Sequence, residues 1–226
     1  MEEVCQTYKQ ARELKKAGAH AVSTDEKTGM QALERAHPDK PMKPGLNRKL
    51  EYEYIRNGTL CLIGNFDAAT GRMVSPWIGP TRNEKDFANH IQRTVDTDPE
   101  ATWIFIVDQL NTHKSESLVR LVADKCRIEQ YLGVKGKSGV LESMASREEF
   151  LKDGSRRIRF IYTPKHTSWL NRIEMWFSIL VRKLLKRAGF TSTEELRDRI
   201  LAFIDYFNRT MAKPFKWTYA GRPLKA

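Results

Sequence analysis

Apolar positions recur along this chain at spacings that switch between the period of a strand and that of a helix. Residues 2–17 are polar with a thin apolar stripe (Val4, Tyr8, Ala11, Leu14), which predicts a surface helix ended by Gly18. HAVSTDE (20–26) predicts a short strand running into an acidic tip. Segment 36–50 carries three prolines with Lys40, Lys43, Arg48 and Lys49, the composition of a solvent-exposed basic loop. Alternation in TLCLIGNFDAATG (59–71), a turn, and RMVSPWIG (72–79) predict a hairpin. Phe87, Ile91 and Val95 share one face of a helix over 82–95. The apolar run TWIFIVD (102–108) is too short for a helix and predicts a buried central strand that delivers Asp108 at its C-terminal end. A helix follows from Ser115 to Ala123.

Residues 127–157 differ in texture. Gly133, Gly136, Gly139 and Gly154 punctuate them, basic residues dominate, and Ser146-x-x-Glu149 has the form of a capping box, so an inserted mobile lobe is expected. RIRFIYTP (157–164) resumes a strand that Pro164 stops. Residues 169–187 predict a long helix with Ile173, Trp176, Phe177, Leu180, Val181 and Leu184 inward. A last helix opens at Ser192-x-x-Glu195 and buries Leu196, Ile200, Phe203, Ile204 and Phe207. This order of elements fits an α/β domain, a mixed sheet with helices on its faces.

Composition narrows the class. With 226 residues, 40% of them hydrophobic, the chain can form one well-cored domain with length left for an insertion. No window approaches the ~18 apolar residues of a membrane span, and MEEVCQTYKQARELKK lacks the apolar centre of a secretory signal. A cytoplasmic protein without a membrane partner is expected. The three scattered cysteines, Cys5, Cys61 and Cys126, agree, because they form neither a Cys-x-x-Cys pair nor a disulfide framework. Thirty-nine Lys and Arg against 28 Asp and Glu give a net charge of +11, which points to a polyanion. The cations cluster: the loop residues above, then Lys135, Lys137, Arg156, Arg157 and Arg159, then Arg182, Lys183, Lys186 and Arg187. The last group would also complement a helix C-terminus, but several patches together fit a DNA track.

Three acids stand at informative places. Asp25 is expected at the end of the first strand, Asp108 at the end of the central one, and Glu174 in the first turns of the long helix, flanking its apolar face. Carboxylates crowded there would repel unless a hard divalent cation sat between them. Two such ions ~3.5–4 Å apart would activate a water or 3′-hydroxyl and stabilise the leaving oxygen. Singly, each acid is weak, since an Asp or Glu after a strand is ordinarily solvated or capping. Asp67, in an Ala-Ala-Thr-Gly turn, is of that ordinary kind.

The neighbouring residues add weight. Ser23-Thr24-Asp25-Glu26, then Val107-Asp108-Gln109-Leu110-Asn111-Thr112-His113, then Thr163-Pro164 and Ser168-Trp169-Leu170-Asn171-Arg172-Ile173-Glu174 resemble, in this order, the three catalytic blocks of the DDE transposases of bacterial insertion sequences related to the mariner superfamily. The resemblance implies a ribonuclease H-like domain over 20–226, with an insertion at about 127–157 before the last core strand, preceded by a residual linker helix at 1–19. It also implies a catalytic and metal-binding triad of Asp25, Asp108 and Glu174 with two divalent cations, Mg2+ or Mn2+ in its place. The implied function is metal-dependent DNA strand cleavage and 3′-hydroxyl strand transfer. Implied partners are double-stranded DNA (transposon ends and target), a second copy in a homodimer on DNA, and a separately encoded helix-turn-helix DNA-reading domain, in a nucleoid-associated setting. The sequence departs from the family in two ways. The stretch between Asp108 and Glu174 is far longer than the commonest mariner-like spacing, and no helix-turn-helix region precedes Asp25, as if this were a separate frame, a fragment or a trimmed chain. A same-fold nuclease that cuts without joining, or a catalytically silent DNA-binding fragment that inhibits an intact transposase, would share these features.

Further residues have two readings each. His113 fits contact with a scissile phosphate or metal-bound water, or a capping role in a loop. Asn171 fits orienting Glu174 or meeting the DNA backbone, or capping a helix. Trp169 fits stacking on an unpaired base, or packing beneath the helix start. Lys165 and His166 lie beside the site, where they would meet phosphate.

Overall fold

The computed structural model describes residues 1–49, 51–186 and 188–221. Five strands form one sheet: β1 (Ala19–Arg35), β2 (Tyr54–Asp67), β3 (Met73–Gly79), β4 (Thr102–Val107) and β5 (Ile158–Tyr162), in the order β3-β2-β1-β4-β5. The β3, β2 and β1 strands pair antiparallel, while β1, β4 and β5 run parallel, so the sheet is mixed as expected. Successive side chains along a strand face opposite ways. Val22, Phe105 and Phe160 therefore join the cluster beneath α2 (Glu84–Val95), α3 (Glu116–Lys125) and α4 (Met144–Lys152). Ala21, Ile104 and Ile161 face α1 (Glu2–Lys16), and Leu62 and Phe66 face α5 (Ile173–Leu180) and α6 (Thr193–Thr210). Burial on both faces explains why TWIFIV is an unbroken apolar run. Ser192 caps α6 by accepting the Glu195 N–H, as the sequence predicts.

The mixed sheet with helices on its faces is the architecture expected, yet three elements differ from their sequence-based form. β1 does not stop at an acidic tip; it runs 17 residues, with Asp25 mid-strand opposite Gly64. What stops there is its parallel neighbour: β4 pairs with β1 only as far as Ser23 opposite Ile106, while β2 follows β1 out to Arg35 opposite Tyr54. The exposed proline-rich segment extends this hairpin into an arm, closed by bridges between Lys40 and Lys49 and between Lys43 and Leu46.

Residues 139–152, within the stretch expected as an inserted mobile lobe, send three apolar side chains into the core. Leu141 and Leu151 are fully buried and Phe150 nearly so, in the cluster that holds Val107 and Phe160. Arg147 is buried too, donating through Nε to Lys114 O at 2.7 Å and through an η nitrogen to Leu141 O at 3.1 Å. The glycines before α4 make a tight reversal: a Cβ on Gly133 would lie 1.9 Å from Ser138 O. The capping box is formed by Ser143 and Ser146, one turn earlier than Ser146 and Glu149.

The long helix is also shorter than its apolar spacing predicts. Ser168–Leu170 is a single 3-10 turn, Asn171 is extended, and α5 starts only at Ile173. After Leu180 it widens into a π turn, Val181–Leu185; Arg187 lies outside the described residues. Trp169 thus falls outside the helix because Asn171 breaks it, for a reason found in the site itself.

Candidate active site

β4 ends at Val107 and β1 continues, so Asp108 leaves the sheet beside Asp25. Asp25 is 8% exposed. Its Oδ1 accepts the Glu26 N–H at 2.8 Å and its Oδ2 accepts Nδ2 of Asn171 at 2.9 Å. Burial, and then the charge of Asp108, push the Asp25 pKa up to about 7. Asp108, with 40% of its side chain exposed, pairs through Oδ1 with His113 Nδ1 at 2.8 Å and accepts the Leu110 N–H at 2.9 Å. Partial burial works upward on Asp108, but His113 and the Leu110 N–H outweigh it and hold the carboxyl below its ordinary range.

His113 sits on the 3-10 turn Asn111–Lys114, fully buried against the Phe87 ring at 4.3 Å. Its Nε2 lies 3.1 Å from Glu26 Oε1, so the ring bridges Glu26 and Asp108. Burial alone would depress its pKa; the hydrogen bonds and charges of Asp108 and Glu26 carry it up to about 9. Bridging the two carboxylates, His113 fixes Asp108, and its ring is buried in the protein, away from the surface where a phosphate would lie.

Asn171 is buried on the other side of Asp25. Its Oδ1 accepts the Ser23 hydroxyl, and its Nδ2 donates to Thr24 O at 3.1 Å as well as to Asp25. The residue therefore holds Asp25, in place of orienting Glu174 or meeting DNA. Ser23 Oγ also accepts the Ile173 N–H at 3.0 Å, which sets the start of α5 on β1. The approach is close: a Cβ on Gly64, opposite Asp25, would lie 3.1 Å from Ile173 Cδ1 and 2.4 Å from Met73 Cε.

Glu174 follows in the first turn of α5, exposed, at the helix end where negative charge is favoured. It lines a groove of about 530 Å3 with Lys27, Phe177, Ser178, Val181, Arg182 and Lys186. The structure thus brings Asp25 and Asp108 together and sets Glu174 on the helix docked beside them. Among the described residues no three acidic, His or Cys side chains already stand as a metal cluster. The donors are nonetheless of the kind a hard cation takes: all are carboxylate oxygens, and burial together with the neighbouring Asp108 charge raises the Asp25 pKa, as expected of crowded acids with no cation between them.

The remaining predicted residues are spread more widely. Lys40, Lys43, Arg48 and Lys49 are exposed on the β1–β2 arm, where Arg48 pairs with Asp39. Lys165 and His166 are exposed after β5, and Trp169, half-exposed, meets Tyr219 edge-on at 5.4 Å. Arg182, Lys183 and Lys186 are exposed along the π turn. Other cations have internal roles: Arg156 covers the Phe150 ring at 3.7 Å, Arg157 donates to Lys125 O at 2.8 Å, and Lys135 pairs with Glu84 at 3.3 Å. Asp67 is structural, accepting the Ala69 N–H at 2.7 Å and pairing with Lys15 at 2.6 Å. Ser23, Glu26 and Lys27 escaped sequence reasoning. Their one signal was their place around Asp25 on a strand, Ser23 on its face and Glu26 on the opposite one.

No helix among the described residues is long and apolar enough to cross a membrane. A family model described as DDE superfamily endonuclease matches residues 20–197. No curated protein matches the chain. Among solved structures, the Mos1 mariner paired-end complex with Mn superposes with a TM-score of 0.52 at 13% identity, covering 96% of this chain and 56% of that one. The catalytic domain of Mos1 mariner transposase superposes with a TM-score of 0.51 at 11% identity, covering 96% and 82%. The chain spans little more than half the length of the Mos1 chain in the paired-end complex.

Proposed function

We propose that this chain, which belongs to the DDE superfamily endonucleases, is the catalytic domain of a transposase that cleaves DNA at transposon ends and joins the freed 3′-hydroxyl to target DNA. The observation that carries the reading is the pair of carboxylates at the parting of β1 and β4, each fixed by its own buried partner. Asp25 is held by Asn171 and Asp108 by His113, so neither has to be reorganised when charge develops beside it. Asp25, Asp108 and Glu174 would hold two divalent cations, Mg2+ or Mn2+, which supply Lewis acidity and a nucleophile activated at neutral pH.

The rest of the task falls to the protein. Lys27, Arg182 and Lys186 line the groove next to Glu174 and would take the phosphates of the strand being cut. Lys40, Lys43 and Lys49 on the arm, with Lys165, His166, Trp169 and Lys183, extend a basic surface for duplex DNA. Glu26 balances the His113 cation, so the charge that fixes Asp108 is not offered to the DNA. A homodimer on DNA, a separately encoded helix-turn-helix partner and a nucleoid-associated place in the cytoplasm complete the reading.

Strand transfer separates this from a nuclease of the same fold. With pre-cut transposon ends, target plasmid and Mg2+, and a DNA-reading domain supplied, the expected product is target DNA covalently joined to the end. Hydrolysis with no joined product at any end or target concentration would leave a nuclease.

A further inference from the structure

α1, expected only as a residual linker, reaches the acidic site through one hydroxyl. Tyr8 is buried in the cluster formed by Val4, Ala11, Ile104, Ile161 and Leu170, its ring 5.0 Å from that of Trp217. Its hydroxyl donates to Leu170 O at 3.0 Å and accepts the Arg172 N–H at 3.4 Å. Leu170 O and the Arg172 N–H belong to the two peptide groups on either side of Asn171. One phenol therefore grips the backbone both before and after the residue whose side chain holds Asp25 and whose extended conformation lets α5 begin at Ile173.

The contacts form a continuous buried path. The phenol fixes the backbone of Asn171; the Asn171 side chain bonds Ser23, Thr24 O and Asp25; Ser23 in turn takes the Ile173 N–H one residue before Glu174. Packing alone does not require this hydroxyl, since a phenylalanine would fill the same apolar site. What the hydroxyl adds is direction. Without it Leu170 O and the Arg172 N–H lose their partner, and the 3-10 turn is free to rotate against β1. Burial keeps the phenol protonated, with its pKa pushed up to about 12, so it remains a donor throughout the working range.

We propose that Tyr8 is a positioning residue for the acidic site: it acts through Asn171 to set Asp25 on β1 against Glu174 on α5. The inference rests on the metal-dependent reading given above. It also makes α1 part of the catalytic unit, so that a pull on this helix would reach the carboxylates through two hydrogen bonds.

The test compares the full chain with Tyr8→Phe, which removes the oxygen alone, and Val4→Ala, which thins the same apolar cluster without touching a polar group. Two readouts are taken: the Mg2+ concentration at the midpoint of metal-induced thermal stabilisation, and kcat against KM for cleavage of an end-containing duplex. Tyr8→Phe should raise the Mg2+ midpoint about tenfold and lower kcat about tenfold with KM for DNA unchanged, whereas Val4→Ala should move neither by more than about twofold. If Tyr8→Phe matches the parent in both, or if Val4→Ala shifts both to the same extent, the hydroxyl has no positioning role. If the parent itself shows no Mg2+-induced stabilisation and no cleavage, the metal-dependent reading fails and this inference fails with it.

Discussion

Replacing Asp25 by Asn should stabilise the metal-free protein at pH 8 and fail to do so at pH 5. Burial and the neighbouring Asp108 raise the Asp25 pKa from 3.8 to about 7 in the folded chain. A carboxyl raised in this way favours folding below its unfolded pKa, and that contribution is lost as the pH climbs through the folded value, between about 4 and 7. A rise from 3.8 to about 7 corresponds to about 4 kcal/mol. The asparagine is neutral at both pH values and escapes this loss. It has one oxygen where the carboxylate has two, so it can accept the Glu26 N–H only by turning its own NH2 toward Nδ2 of Asn171. That lost bond costs about 1–3 kcal/mol, which leaves a net gain of about 2 kcal/mol at pH 8. For a domain of this size the melting temperature should rise by about 4–8 °C. At pH 5 the loss has run only from about 4 to 5, about 1.5 kcal/mol; the lost bond offsets it, and the variant should be no more stable than the parent. Thermal unfolding in EDTA at the two pH values measures both, and saturating Mg2+ at pH 8 should stabilise the parent alone. An Asp25→Asn variant less stable than the parent at both pH values, or equally stabilised at both, would refute the electrostatic picture of the site.

Two further predictions address the frame and the surface. Leu151→Ala should lower stability by about 2–5 kcal/mol in urea unfolding, because the side chain is fully buried in the main core; a loss below about 1 kcal/mol would return 127–157 to the status of an outlying lobe. Arg182→Ala with Lys186→Ala should weaken duplex binding and flatten the slope of log K against log salt by about 2. Both residues are exposed, so the unfolding midpoint should not move; unchanged salt dependence would remove the groove from the DNA path.

Most of the sheet was legible because burial writes itself into apolar spacing. TWIFIV could only be a strand covered on both faces, and Asp108 follows directly from its end. The extent of β1 was not legible: the acidic Asp25-Glu26 read as a strand tip, when it is β4 that ends there while β1 runs on, paired with β2. Residues 139–152 misled for the opposite reason. Their glycines and cations look like surface, yet Leu141, Phe150 and Leu151 lie too irregularly in sequence to mark a core face. At the site, the three acids were visible by their blocks, but the partners that fix them were not. Whether His113 meets DNA or Glu26, and whether Asn171 caps a helix or holds Asp25, depends on residues 87 and 146 positions away in the chain.

The most direct test of the account is Asp108→Asn, with cleavage and binding measured on the same end-containing duplex in Mg2+. The substitution keeps the side chain's shape and removes one negative charge from the carboxylate pair. Cleavage should fall by several orders of magnitude, while DNA affinity holds or tightens slightly because the basic surface is intact and a repulsive charge is gone. A variant that cleaves as fast as the parent would contradict the assignment of Asp25, Asp108 and Glu174 as the catalytic centre.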